Sequence, residues 1–231
     1  MKEALVQTLL WNIFDMKRFT LLILILLFAV SCTQNEFVPE NGDLVFCVGS
    51  QGNMSSAITD ATSIEGALEQ LDHVGIISIE GDSVFVLEAN PKKGVVATPL
   101  SQFLKESYYI NGAPGIIVKR LNIDFDKEKT VERAKSFIGE PYDWSYLPQN
   151  GKVYCSELVY QSFINDDGTP VFQSKPMSFR DSEGNIPQFW IDLFKSLGEE
   201  IPEGVAGTNP NDMSQEEILT EVYRYFKYQI S

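Results

Sequence analysis

The chain has 231 residues and a formal charge of −14, from 18 basic and 32 acidic side chains. Binding of phosphate backbones requires a basic field, so this balance argues against nucleic acid as a partner. A hydrophobic content of 44% with 12% aromatic residues is enough for a folded core and excludes global disorder. Because His73 is the only histidine, a multi-histidine metal site is excluded. We predict neither a metal nor a cofactor.

Residues 1–31 have the pattern of a secretory signal peptide, with translation starting at Met16. Two basic residues precede an apolar run at 19–30, which is shorter than the about 20 residues of a membrane-spanning helix. The segment Ala29-Val30-Ser31-Cys32 resembles a bacterial lipobox, although alanine replaces the usual leucine. The alternative is an ordinary signal peptide with an unmodified Cys32.

This N terminus predicts an exported protein, held at a membrane of the cell envelope by a lipid on Cys32. Residues 32–41 would form the tether, and residues 42–231 a single domain with a C-terminal extension from about residue 166. A turn at 41–43 leads into a predicted strand at 44–48, which carries Cys47 as a core residue. Residues 49–61 predict a long loop beside a cleft, and residues 64–71 a short helix.

The strongest β pattern is a hairpin of two strands, 72–80 and 83–90, joined by Gly81-Asp82. Glycine at the first position of a two-residue loop favours a type II′ turn. In that register His73, Glu88 and Asn90 share one face, with Glu88 ~7 Å diagonally from His73. A carboxylate or an amide there could hold the imidazole in one tautomer. The alternative is a His73 that is satisfied by a backbone carbonyl.

The remaining elements alternate in type, which indicates a compact α+β domain. Strands are predicted at 94–99 and 115–121, with helices at 101–106 and 126–138, the last ending at Gly139. Past residue 165 the pattern weakens. It predicts a helix around Trp190, an extended loop at 201–212, and a capping-type start at 214–217 for a final helix or strand.

Cys155 follows a turn-rich stretch and begins an amphipathic pattern. The residues that continue its face at helical spacing are Leu158, Val159, Ser162 and Phe163. In the first turn of a helix, unpaired N–H groups and the positive end of the dipole stabilise a thiolate. One alternative is that Cys155 is a small buried core residue. Another is a disulfide with Cys47, which an oxidising compartment would permit.

A helix-start cysteine, a histidine on a strand and an acid on the paired strand together suit thiol catalysis. Histidine can stabilise the thiolate and later protonate the leaving group near neutral pH. N–H groups at the start of the helix can stabilise an oxyanion. The geometry of such a site, and not its chain order, defines it.

Several stretches between about residues 40 and 165 resemble the permuted NlpC-type papain-like cysteine peptidases and amidases, and most closely their YiiX-like branch. In chain order these are Gly42-Asp43-Leu44-Val45, Asp72-His73-Val74-Gly75, Glu88, Gly139-Glu140-Pro141-Tyr142-Asp143-Trp144 and Tyr154-Cys155-Ser156-Glu157-Leu158. The resemblance implies a permuted papain-like fold, in which a small antiparallel barrel-like sheet packs against the cysteine helix. It also implies Cys155 as nucleophile, His73 as base and Glu88 as the residue orienting it.

Four further residues are assigned to substrate binding: Tyr142, Tyr154, Asn90 and Asp43. By the same resemblance, Tyr142 or Tyr154 lines the pocket and is the candidate donor to the oxyanion. Asp43 belongs to the first motif, where a structural role in the turn is the alternative. The extension after residue 165 has no counterpart among these motifs and is interpreted as a lid or specificity element.

The sequence therefore predicts a thiol hydrolase of the cell envelope, with a peptide or muropeptide as substrate. The scissile amide would lie in peptidoglycan stem peptides or muropeptide fragments. The strongly acidic charge favours a substrate amine or an amidated terminus over an anionic group. One alternative is an acyltransferase or lipid esterase of the same layout. The other is a non-catalytic lipoprotein that binds a small peptide or amino acid.

Overall fold

One antiparallel sheet of six strands organises the fold, in the order β10-β7-β1-β2-β3-β4. The structure, a computed structural model, describes residues 37–148 and 150–228. The sheet strands are β1 (Leu44–Val48), β2 (Leu71–Glu80), β3 (Ser83–Asn90), β4 (Gly94–Pro99), β7 (Ile116–Leu121) and β10 (Leu219–Arg224). Short strands pair outside this sheet: β5 (Tyr109–Ile110) with β6 (Ala113–Pro114), and β8 (Lys175–Pro176) with β9 (Ala206–Gly207).

Six helices accompany the strands in the described part of the chain. They are α1 (Asn53–Ala61), α2 (Leu100–Glu106), α3 (Lys127–Ser136), α4 (Cys155–Ser162), α5 (Gln188–Leu197) and α6 (Pro210–Ser214). Helix α4, which begins with the cysteine, packs against β2, β3 and α3. This arrangement confirms the predicted α+β class.

The central strands are buried on both faces, as their nearly continuous apolar sequences require. Alternate side chains share one core cluster with Leu158 and Val159 of α4; among them are Leu44, Phe46, Val74, Ile76, Leu87 and Ala89. The residues between them, such as Val45, Ile77 and Val86, are also fully buried. The described residues from Pro39 onward form one compact unit.

The hairpin that carries His73 has the predicted register. Glu80 pairs with Ser83, and Ile76 with Leu87. Gly81 has a φ of +59°, while Asp82 lies outside the left-handed region, which fits a type II′ turn. The predicted strands at 94–99 and 115–121 and the helices at 101–106 and 126–138 are also present, with ends shifted by up to two residues.

Two predictions near the N terminus of the domain are wrong. The predicted loop at 49–61 contains α1, whose apolar side is formed by Met54, Ala57, Ile58 and Ala61 at helical spacing. The predicted helix at 64–71 is an irregular segment that leads into β2. Its backbone turns at Gly66, with a φ of +79°, and the side chain of Gln70 bonds both the N–H and the carbonyl of Ile64 at 3.1 Å. These side-chain bonds replace the helical ones.

The C-terminal region is more ordered than the sequence suggests. The predicted loop at 201–212 contains β9 and the first residues of α6, which Asn209 caps by accepting a bond from the N–H of Asp212 at 2.8 Å. Ser214 ends α6 and starts no helix, so the cap prediction at 214–217 is wrong. The strand alternative for the final segment is correct, because β10 follows.

The predicted signal peptide, the start at Met16, lipidated Cys32 and the first half of the tether lie outside the described residues. Within the described ranges, no helix is long and apolar enough to cross a membrane. Cys47 and Cys155 are both free thiols, so the disulfide alternative is not present in this structure.

Candidate active site

Cys155 is the first residue of α4 and is only 4% exposed. The chain reaches it in an extended conformation at Tyr154, and the first helical bond runs from the N–H of Leu158 to the carbonyl of Tyr154 at 2.9 Å. The N–H groups of the first turn therefore have no acceptor within the helix. A carbonyl oxygen that becomes negative beside Cys155 could accept bonds from them.

His73, on β2, connects the thiol to a buried carboxylate. Its Nε2 atom lies 2.8 Å from Oε2 of Glu88 on β3. The other oxygen of Glu88 accepts a bond from the hydroxyl of Thr98 on β4 at 2.6 Å. Nε2 is thus occupied, which leaves Nδ1 as the ring nitrogen that can serve Cys155. Three neighbouring strands hold the imidazole in one orientation.

The charges of this group favour an imidazolium. Burial disfavours the charged form of His73, but its hydrogen bonds and charge interactions with Cys155 and Glu88 outweigh burial and raise its pKa well above the usual range. Burial opposes ionisation of Glu88 as well, yet the bonds and charge of His73, with Thr98 and Asn90, lower the pKa of that carboxyl. The arrangement suits an imidazolium that a carboxylate supports beside the side chain of Cys155.

Asn90 lies beside this group without contacting the imidazole as Glu88 does. Its side-chain oxygen accepts bonds from the backbone N–H groups of Lys92 and Lys93, at 3.0 and 3.3 Å. Its amide contributes a hydrogen bond to Glu88. The structure therefore places Glu88 in direct contact with His73, and Asn90 at the turn that follows β3.

The two predicted tyrosines lie on either side of a third. The hydroxyl of Tyr142 is 3.3 Å from that of Tyr146, and the ring of Tyr146 packs at a tilt against that of Tyr154, with centroids 5.0 Å apart. The hydroxyl of Tyr154 accepts a bond from the N–H of Thr208 at 3.0 Å. Burial raises the pKa of all three phenols, so they remain neutral donors. Of the two predicted tyrosines, Tyr142 lines both the cavity beside Cys155 and the cavity beside His73.

Two cavities meet at the cysteine and the histidine. The first, the aromatic pocket, has a volume of about 260 Å³ and includes Cys155 in its lining. Its main walls are Tyr142, Tyr146, Tyr154, Met177, Phe179 and Trp190. The second, the histidine cleft, has a volume of about 810 Å³ and includes His73, Glu88, Asn90, Lys92, Lys93 and Phe103. Ile58, Asp72 and Tyr142 belong to both linings and mark the junction.

The C-terminal extension builds one wall of the aromatic pocket. Met177, Phe179 and Trp190 come from this region. Trp190 packs edge-on against Phe179 at 5.0 Å and against Tyr146 at 5.4 Å. Of the two predicted roles, lid and specificity element, this wall position fits the second directly.

Sequence reasoning assigned no role to two residues of the site, Tyr146 and Asp72. Tyr146 adopts a φ of +52°, which is unusual for a non-glycine residue, and has only 7% of its surface exposed. Asp72 precedes His73, accepts a bond from the hydroxyl of Ser55, and has its pKa raised by burial. A close search of the two motifs, Asp72-His73-Val74-Gly75 and the stretch after Tyr142, could have found both.

Asp43 occupies a structural position. Its carboxylate accepts bonds from Nε and Nη2 of Arg120 at 2.6 and 2.8 Å, and from the N–H of Glu40 at 2.9 Å. Cys47, which pairs with His73, lies four residues further along the chain, or about 13 Å at the rise of a strand. The structure does not bring Asp43 to the cavities, and its bonds match the turn alternative.

Cys47 is a neighbour of the site and has a different character from Cys155. It lies opposite His73 in the ladder of β1 and β2 and lines the histidine cleft. Burial, with the charges of Asp72, Glu88 and Cys155, raises the pKa of its thiol well above the usual range. A thiol that stays protonated is a poor nucleophile.

Residues 38–223 match the sequence profile of a family described as permuted papain-like amidase enzymes, YaeF/YiiX, C92 family. That range covers most of the chain. The protein belongs to this family. Membership confirms the resemblance to YiiX-like papain-like enzymes and makes the chain a member of a cysteine peptidase and amidase family.

Two comparisons with individual proteins agree with the family assignment. The uncharacterized protein YiiX of Escherichia coli (strain K12) is 28% identical over 205 residues, which cover 87% of this chain and 94% of YiiX. A crystal structure of YiiX from Escherichia coli O157:H7 superposes with a TM-score of 0.67 at 25% identity. That superposition covers 83% of this chain and all of the other, and so confirms the permuted papain-like fold.

The solved YiiX is described as a metalloprotein. In this chain, residues 37–148 and 150–228 contain no group of three or more His, Cys, Asp and Glu side chains that could hold a metal ion. The side chains nearest the thiol are already paired with one another, as His73 is with Glu88. The described residues therefore offer no set of donors that fits a metal centre.

Proposed function

We propose that this family member hydrolyses an amide bond with Cys155 as nucleophile, His73 as general acid and base, and Glu88 as the group that orients His73. The observation that carries the proposal is the placement of His73. Its ring contacts a buried, Thr98-anchored carboxylate on one side and interacts with a helix-start thiol on the other. An activated thiol nucleophile needs a base beside it and a third group that orients the base, and His73 and Glu88 supply these two.

In the proposed reaction, the thiolate of Cys155 attacks the carbonyl carbon and forms a C–S bond. The N–H groups that begin α4, with the hydroxyl of Tyr142, are the candidate donors to the oxyanion. When the intermediate collapses, the C–N bond breaks and the imidazolium of His73 gives its proton to the leaving nitrogen. Neutral His73 then takes a proton from water, which attacks the thioester and releases the acid.

We further propose peptidoglycan stem peptides or muropeptide fragments as substrates, and the cell envelope as the site of action. The N-terminal pattern and the lipobox-like Cys32 support export and a membrane tether. The histidine cleft, at about 810 Å³, has room for a peptide segment, and its lining includes Ser50, Asn90 and two lysines as polar partners.

Digestion of purified muropeptides, read by mass spectrometry, tests the reaction. We expect product from the wild-type protein and a loss of about 10³-fold or more in Cys155→Ala, because the proposed thioester forms on the thiol of Cys155. Cys47→Ala is the matched control and should retain activity, since that thiol is protonated. Product from wild type and Cys155→Ala alike, or from neither, would contradict the proposal.

A second candidate is acyl transfer or ester hydrolysis on a lipid. The aromatic pocket favours it, because Met177, Phe179 and Trp190 offer apolar surface in a lining that also includes Cys155. Assays of the same preparations with p-nitrophenyl esters of increasing acyl length distinguish the two. Rates that rise with chain length, together with intact muropeptides, would support the lipid reaction.

A further inference from the structure

The proposed reaction gives the two cavities different roles. His73 protonates the leaving nitrogen, so the amine half of the substrate must lie on the imidazole side of the thiol. That side is the histidine cleft, which His73 lines. The acyl half, which becomes bonded to Cys155, then faces the aromatic pocket. The inference below rests on this direction of the proposed reaction.

A firmly held basic turn forms part of the wall of the histidine cleft. Lys92 and Lys93 lie between β3 and β4, and both of their backbone N–H groups bond the side-chain oxygen of Asn90. The turn closes at Gly94, which has a φ of +73° and packs against the backbone of Glu140. The N–H of Val95 fixes this contact with a 2.8 Å bond to the carbonyl of Glu140. The two ammonium groups thus start from a backbone with little freedom.

The acidic side chains of the same cleft already have partners. Asp72 accepts a bond from Ser55, and Glu88 is bonded to His73 and Thr98. Glu106 lies 3.8 Å from the ammonium of Lys93, and both side chains are about half exposed, so this pair contributes little. Within the described ranges, the side chain of Lys92 has no ion-pair partner.

Asn90 connects this turn to the catalytic group. It bonds both lysine N–H groups and also Glu88, which lies two residues before it on the same strand face. At the rise of a strand this separation is about 7 Å. A substrate whose leaving nitrogen is at His73 would therefore extend its next atoms past Asn90 towards the lysines.

We propose that the histidine cleft recognises a carboxylate on the amine half of the substrate, through Lys92 and Lys93. The substrate class is then an amide whose leaving group is an amino acid or a peptide with a free carboxylate close to the scissile nitrogen. This local field differs from the overall charge of −14, which favoured an amine or an amidated terminus. Short-range charge decides binding here, because exposed charges beyond about 8 to 10 Å are screened.

Acyl transfer to added amines tests the amine half without knowledge of the natural acyl group. The acetyl-enzyme, formed from p-nitrophenyl acetate with release of p-nitrophenol, is a thioester on Cys155. An added amine attacks it, the C–S bond breaks, and N-acetylated product and free thiol result. The acceptors are L-alanine and L-alaninamide, which differ only in the carboxylate. The measured quantity is the ratio of their acetylated products at equal concentrations of the free-base amines.

We expect the ratio of alanine to alaninamide product to fall roughly tenfold in the Lys92→Ala/Lys93→Ala double variant. Lys92→Glu should reduce it further. Lys105→Ala is the matched control, because Lys105 is an exposed lysine on α2 outside the linings of both cavities, and its ratio should equal the wild-type value. The same ratio in wild type and the double variant overturns the inference.

A second measurement decides the inference if no acetyl-enzyme forms, an outcome that counts against the proposed function. It is the protection of Cys155 from iodoacetamide by L-alanine and by L-alaninamide. Stronger protection by alanine, lost in the double variant but not in Lys105→Ala, supports carboxylate recognition without turnover. Equal protection by the two compounds in the wild-type protein overturns it.

Discussion

At the scale of single residues, the state of His73 depends on one buried carboxylate. Glu88 is 4% exposed and is held by Thr98, so it cannot turn away to water when the imidazole changes charge. Its contact raises the pKa of His73, while Cys155 raises it from the other side. The imidazolium should therefore persist to higher pH than in a free histidine, whose pKa is about 6.5.

In the variant Glu88→Gln, the pH range over which His73 is an imidazolium should end at a lower pH. Removal of the negative charge lowers the pKa of His73, so the imidazolium is lost about one pH unit earlier or more. The rate of alkylation of Cys155 by iodoacetate, divided by that with neutral iodoacetamide, reports the imidazolium, because the positive ring attracts the anionic reagent. The fall of this ratio with rising pH should begin at lower pH in Glu88→Gln.

Glu106→Gln is the control for this measurement. Glu106 lines the same cleft but has no bond to His73, so its loss should leave the pH profile close to that of the wild type. If the ratio of the iodoacetate and iodoacetamide rates falls at the same pH in Glu88→Gln and in the wild type, Glu88 does not act through the charge of His73.

At the scale of elements, the turn between β3 and β4 depends on a glycine for two separate reasons. Gly94 has a positive φ, and a Cβ atom there would overlap the carbonyl oxygen of Glu140. Gly94→Ala should lower the free energy of unfolding by roughly 3 kcal/mol, from the left-handed backbone and the overlap together. Urea denaturation at neutral pH measures the change.

Gly112→Ala separates the two causes. Gly112 has a φ of +81°, but its Cβ position is open, so only the backbone cost of about 1 kcal/mol applies. Similar losses in the two variants would mean that the contact with Glu140 does not constrain the turn. In that case the basic turn is less firmly held than the structure indicates.

The elements that the sequence predicted well are those whose signals are local. Both strands and the turn of the His73 hairpin lie within one short stretch. The two-residue alternation of the strands and the turn type therefore predicted which residues pair and which share a face. Helix α1 was missed because Ser, Thr and Asn residues hide its apolar spacing. The 64–71 segment was misjudged because Gln70 satisfies the backbone of Ile64 through its side chain, a bond that no periodicity shows.

The residues of the candidate site likewise divide into those with a local sequence signal and those without one. Cys155, His73 and Glu88 stand in recognisable motifs, and the structure brings them together. The wall formed by Met177, Phe179 and Trp190 could not be predicted, since it depends on how the last third of the chain packs onto the first part. The sequence left both a binding role and a structural role open for Asp43, because a motif position does not reveal that Arg120, 77 residues later, binds its carboxylate.

At the scale of the whole molecule, the acidic surface and the N terminus bear on where the protein works. A formal charge of −14 keeps a protein soluble but gives no attraction to anionic lipid surfaces. Surface charge therefore does not support the proposed membrane location, for which we propose a covalent lipid on Cys32 as the anchor.

The mature N terminus should begin with a lipid-bearing Cys32 when the protein is expressed in a bacterial host with lipoprotein processing. Mass spectrometry of the purified protein measures this, and Cys32→Ser should move the protein from the membrane to the soluble fraction. Detection of an unmodified Cys32 at the mature terminus would exclude the anchor. A single acyl chain binds membranes only weakly, so more than one chain is expected.

The bonds of Thr208 have a consequence for when the site is complete. Its N–H binds the hydroxyl of Tyr154, and its hydroxyl binds that of Ser156, at 3.0 Å each, so one late residue fixes both neighbours of Cys155. The ribosome makes this residue more than fifty positions after the nucleophile. A nascent chain that has exposed the cysteine, the histidine and the glutamate still lacks the contacts that set the helix start. The thiol site is therefore complete only once residue 208 has joined the rest of the domain, wherever the chain folds.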